Sequence, residues 1–154
     1  MMNTHIVKVA MLAVIGGLAL GSSACSMVFR PAYRDANGAV TATASVNSSD
    51  LKVGDCIYNV SGGGTTVTKL QVVPCTSEHE AEVYATQTNV ANDTTSLQQF
   101  CEDQYKPYIG VDFADTGLDV TFIHNDATSA KTDLQCIVYS QGNMVTTSYK
   151  GSKQ

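Results

Sequence analysis

Four cysteines, Cys56, Cys75, Cys101 and Cys136, are spread through the polar part of a 154-residue chain. They constrain what it can fold into more than any other feature. A fifth, Cys25, stands apart at the end of an uncharged apolar run, directly after Ser22-Ser23-Ala24. One cysteine at an export junction with an even number downstream is the pattern expected of an exported lipoprotein stapled by two disulfides.

The N-terminus reads as a signal peptide over residues 1–24. His5 and Lys8 are its only side chains with cationic potential, and every residue from Val9 to Leu20 is apolar or glycine, a length typical of a signal core. In lipoprotein processing the Cys25 thiol receives a diacylglycerol and the chain is cut before it. The position three residues ahead of that cysteine usually carries leucine and is Ser22 here. Two other readings stand beside this one. Ser22-x-Ala24 also fits ordinary signal-peptidase cleavage, and the charge-free stretch from Lys8 to Arg30 is just long enough to span a bilayer uncleaved. All three place the remaining chain outside the cytoplasm, and the leading one makes the membrane a partner through a lipid anchor.

From Asp50 onward the acids outnumber the bases 13 to 6, with no cluster of lysine or arginine. Nucleic-acid binding needs a basic face, so that class is excluded. With no tryptophan and only four phenylalanines, the core must be built from valine, leucine, isoleucine and tyrosine. A small domain of this kind gains substantially from disulfides.

The segment 25–49 reads as a flexible tether, small and polar with no periodic apolar stripe. Arg30 and Arg34 fall within it as solvated charges. The folded domain is expected over 50–154. Val53 to Val60 reads as a strand ending at Ser61-Gly62-Gly63-Gly64, and Thr66 to Val73 as its hairpin partner. Ala81 to Thr88 follows, with Val83 and Ala85 on one face and Glu82 and Tyr84 on the other. Asn92-Asp93-Thr94-Thr95 offers cap chemistry for a helix from Ser96 to Tyr105, ended by Pro107. Leu97, Phe100, Cys101 and Gln104 share one helical face. Leu118 to Ile123, Asp133 to Ser140 and Met144 to Tyr149 read as strands, the last two a hairpin about Gln141-Gly142-Asn143. The sum is a small α+β domain, mostly antiparallel sheet with one main helix.

Several phrases together resemble the actinobacterial septum-formation domain family. Leu51-Lys52-Val53-Gly54-Asp55-Cys56 is similar to that family's opening Leu-x-x-Gly-Asp-Cys. The run from Val73 through Cys75 and His79 to Glu82-Val83 is similar to its Val-x-Cys-(Ser/Thr)-x-x-His-x-x-Glu-Val. Cys101 followed by Tyr108-Ile109-Gly110, and Cys136 followed by Thr147 to Gly151, resemble its later parts. Members commonly carry a tryptophan and a Gly-Asp-Arg phrase before the last cysteine, where this chain has Ala130-Lys131-Thr132-Asp133. The resemblance implies an exported or membrane-linked envelope domain, a link to cell division, and no established enzymatic activity.

Cys75, His79 and Glu82 invite a metal reading, since thiolate, imidazole and carboxylate are all zinc ligands. That reading needs a reduced Cys75, whereas an exported domain oxidises its cysteines. Disulfide pairing equally removes the thiolate that a cysteine nucleophile partnered by His79 or His124 would need. Gly62-Gly63-Gly64 opens no helix and reads as a turn rather than a phosphate cradle. Asp112, Asp115, Asp119 and Asp126 lack the spacing of a calcium loop. The expectation is therefore no catalytic residues, no metal and no cofactor. The chain reads as a non-enzymatic envelope lipoprotein that binds another envelope component, with a metal-dependent binder or enzyme using Cys75, His79 and Glu82 as the alternative. Chain reversal at the glycine turn predicts Cys56–Cys75, and a helix lying over an apolar strand predicts Cys101–Cys136.

Overall fold

β-Branched runs separated by turn residues, and one capped amphipathic stretch, build a sheet covered by a helix. The computed structural model describes residues 31, 33–60, 67–125 and 128–154. The signal region, Cys25, Arg30, the glycine turn and Asp126 lie outside the described residues. The strands are β1 (Ala44–Asn47), β2 (Cys56–Ile57), β3 (Lys69–Val73), β4 (Ala81–Ala91), β5 (Asp119–His124) and β6 (Lys131–Tyr139), with α1 (Thr94–Ile109) between β4 and β5. They form one six-stranded sheet in the order β1-β3-β2-β4-β6-β5, and every pairing is antiparallel. This is the expected α+β domain. Among the described residues, no helix is long and apolar enough to cross a membrane.

Both predicted disulfides are present. Cys56 joins Cys75 across β2 and the end of β3, and Cys101 joins α1 to Cys136 on β6. The second bridge crosslinks the helix to the strand it covers, so it fixes the helix-on-sheet layer.

The helix begins where Asp93 accepts the Ser96 backbone N–H at 2.9 Å. That bond holds the Asp93 carboxyl below its ordinary range. Leu97, Cys101, Tyr105, Tyr108 and Ile109 are its buried positions, a stripe at three- and four-residue spacing. The helix does not end at Pro107, which lies inside it. Proline removes one ladder bond, but Asp103 and Pro107 are both exposed, so water can solvate the orphaned carbonyl. Gly110, at φ +100°, ends the helix instead. Its N–H bonds the Lys106 carbonyl at 2.9 Å.

The first half of β4 is buried on both faces. Val83 packs with Ile57, Val72, Ile123 and Ile137 on one side of the sheet. Tyr84 and Ala85 both belong to the cluster beneath α1, with Leu134, Cys136 and Val138. Strict alternation put Ala85 with Val83. A β-bulge between Val83 and Ala85 shifts the register against β6 and reverses that assignment, because a bulge inserts one residue and re-aims those after it.

Three further expectations are corrected. Val53 to Val60 forms a strand only at Cys56–Ile57, since Gly54 turns the chain at φ +88° just before it. Met144 to Tyr149 makes a single bridge, Val145 to His79, rather than a strand. More important, the segment expected as a tether from 25 to 49 carries part of the domain. β1 pairs with β3 from Ala44↔Val72 to Asn47↔Lys69, and Val46 is only 4% exposed. Arg34 is buried as well. The segment has no apolar period because it is held by backbone bonds at a sheet edge, the buried Val46, the partly buried Tyr33, Val40 and Ala44, and one ion pair.

Candidate functional site

The Leu51 to Cys56 phrase folds as a corner docked on β4. Leu51 enters the core below the sheet. The Gly54 N–H donates to the Val83 carbonyl at 2.8 Å, and the Val83 N–H returns a bond to Asp55 at 2.9 Å. The Asp55 carboxylate accepts two bonds from the Arg34 guanidinium, at 2.6 and 2.7 Å, and one from the Lys52 backbone at 2.9 Å. These bonds, chiefly the side-chain hydrogen bond to Asp55, raise the Arg34 pKa against the opposing effect of burial. Arg34 is thus an internal partner and not a solvated linker charge.

Behind the corner sit His79 and Glu82, both essentially without solvent contact. Ligand-type atoms of Cys56, His79 and Glu82 all lie within 4.8 Å of one another. The cysteine at this cluster is Cys56, not the Cys75 that sequence proximity selected, because β2 pairs with β4 at Cys56↔Glu82. Its sulfur is held in the bridge to Cys75, so it offers no thiolate. Glu82 is heavily bonded inside the protein: it accepts the Tyr108 hydroxyl at 2.5 Å, the Ser148 hydroxyl at 2.7 Å and the Tyr149 N–H at 2.6 Å. Burial, then the Glu82 carboxylate, pushes the Tyr108 hydroxyl above its ordinary range and the Tyr149 hydroxyl up to about 12. His79 Nδ1 meets the Ser77 carbonyl at 2.8 Å, an acceptor to which Nδ1 donates its proton. Nε2 has no partner among the described residues. Glu80, not singled out by the sequence, is buried nearby and accepts the Val60 and Gly142 backbone N–H groups at 3.1 and 3.2 Å. Glu80 directly precedes β4, and the closing segment covers both it and Glu82, Tyr149 bonding each of them.

An open, aromatic-lined groove lies elsewhere. Between α1, β4 and β5 runs a groove of about 370 Å³ lined by Tyr84, Cys101, Tyr105, Phe113, Val120 and Phe122, with Gln98, Glu102 and Thr121 supplying polar side chains. Tyr84 donates its hydroxyl to the Cys101 carbonyl at 2.9 Å, and Tyr105 shares a 2.9 Å bond with the Thr116 hydroxyl. The rings meet edge to face, Tyr84 on Tyr105 at 5.8 Å and Tyr105 on Phe113 at 5.3 Å, a favoured aromatic geometry. Phe113 nevertheless remains 44% exposed. Of the residues singled out from the sequence as site candidates, only Cys101 borders the groove. No local motif marked it, since its walls come from α1, β4, β5 and the turn at Phe113 between α1 and β5.

Comparison with protein families, with curated proteins and with solved structures finds no match to this chain.

Proposed function

We propose that this chain is a non-enzymatic lipoprotein of the cell envelope, anchored through Cys25, whose folded domain binds another envelope component through the aromatic groove beside α1. One observation carries the binding reading. Cys56 is held in a disulfide and Glu82 by three donors, and His79 is buried away from solvent, while the groove is open and lined by aromatic side chains. Two disulfides agree with an oxidising compartment. The phrases resembling the septum-formation family form the Gly54–Cys56 corner and its β4 partner, which supports a place in the division envelope.

Feeding labelled fatty acid to cells tests the anchor. The wild-type protein is expected to take up label and Cys25→Ala to take up none, with equal labelling rejecting it. A second reading, a metal-dependent site, is favoured by the proximity of Cys56, His79 and Glu82 and requires the Cys56–Cys75 bridge to open. Thiol titration of the unreduced protein separates the two. No free thiol from Asp50 to Gln154 supports the binding domain, and a reactive Cys56 with bound zinc supports the second.

A further inference from the structure

We infer that the groove beside α1 takes a small organic cation, a quaternary ammonium carried on a compact apolar body. This rests on reading that groove as the binding site and names the chemistry it selects. Tyr84, Tyr105, Phe113 and Phe122 line a space of about 370 Å³, within the range of small-molecule sites of about 300–1,000 Å³; Tyr84 and Tyr105 are buried, so the rings with open surface are Phe113 and the half-buried Phe122. Ring faces carry negative quadrupole density and attract a cation. A quaternary ammonium has no N–H to satisfy and loses little hydration, so it suits walls that are mostly hydrocarbon.

The charges point the same way. Glu102 contributes a carboxylate to the lining and no lysine, arginine or histidine contributes to it. Its position is set by Gln98, one helical turn earlier, which donates to it at 2.6 Å. Burial, then Tyr105 and the Glu102 charge, raises the Tyr84 hydroxyl above its ordinary range. The chain as a whole carries a net charge of −5, which favours approach of a cation and disfavours an anion. A cation gains from the nearby Glu102 charge, and an uncharged guest does not.

The test compares benzyltrimethylammonium with neopentylbenzene, its uncharged carbon isostere, by amide chemical shifts in the intact disulfide-bonded domain. The cation is expected to shift residues 98–102 and 120–122 saturably, and the isostere to bind about tenfold more weakly. Glu102→Gln and Phe113→Ala are each expected to weaken the cation about five- to tenfold while the unliganded spectrum keeps its dispersion. Equal affinity for cation and isostere overturns the cation claim and leaves the groove reading standing. Absence of shifts with both probes, or shifts confined to other surfaces, overturns both.

Discussion

The two disulfides hold regions of opposite character. Around Cys56–Cys75 the interior is polar: Arg34 meets Asp55, Glu82 collects three donors, and Glu80 ties β4 to the segments carrying Val60 and Gly142. Around Cys101–Cys136 the interior is aromatic and aliphatic, with Tyr84, Tyr105, Leu134 and Val138 beneath α1. Buried polar groups demand their particular partners, so the first region has little freedom to vary or to open. Aromatic packing is less directional, and the second region leaves a groove. The polar cluster and the aromatic groove thus occupy different parts of one sheet.

Breaking both bridges has the largest expected effect. Loop entropy gives about 3.2 kcal/mol for the Cys56–Cys75 separation of 19 residues and about 3.8 kcal/mol for the Cys101–Cys136 separation of 35. Their sum, about 7 kcal/mol, rivals the whole stability of a typical small domain, about 5–15 kcal/mol. Urea unfolding with and without reductant checks it. If the polar region depends on its bridge beyond loop entropy, replacing Cys56 and Cys75 by alanine will cost more than replacing Cys101 and Cys136, despite the shorter loop.

Next in size is the loss of the segment before Asp50. A chain beginning there leaves Asp55, 2% exposed, without Arg34 and strips β1 from β3. Removing one partner of a buried pair costs about 3–5 kcal/mol, and Arg34→Ala in the full chain is expected to reproduce that part. Denaturation midpoints that match between the Asp50 start and a Pro31 start would return this segment to the status of a tether.

Glu82→Ala sharpens the contrast most directly. It strands the Tyr108 hydroxyl and the Tyr149 N–H in the interior, for an expected loss of about 3–5 kcal/mol. Phe113→Ala, at the groove, is expected to cost about 1 kcal/mol or less. Equal losses in chemical denaturation would remove the distinction between the regions.

The smallest effect is at alkaline pH. The folded state raises the Tyr149 hydroxyl from its ordinary value of about 10 to about 12, so folding favours the neutral phenol. Its contribution to stability is complete below about pH 10 and is lost as pH rises through about 12. The tyrosinate absorbance that is missing in Tyr149→Phe should appear only near pH 12, together with loss of circular dichroism. Its appearance near pH 10 in a still-folded protein would place Tyr149 outside the polar cluster.

The sequence by itself determined features that depend on local period and chain reversal. The cap residues at 92–95 and the spacing of Leu97 and Cys101 give the helix and its inner face though not its end at Gly110, β-branched runs give β3 to β6 though not β1, and the positions of four cysteines give both bridges. What it did not determine are contacts set by strand order. Arg34 finds Asp55, Cys56 rather than Cys75 lies beside His79 and Glu82, and Glu80 becomes interior because non-adjacent segments are laid side by side. A bulge at β4 sends Tyr84 and Ala85 to the same cluster, which no alternating pattern encodes. The groove likewise exists only once α1 lies across β4 and β5. Its rings are ordinary core residues along the chain, and their convergence is a long-range consequence of packing that local sequence period cannot carry.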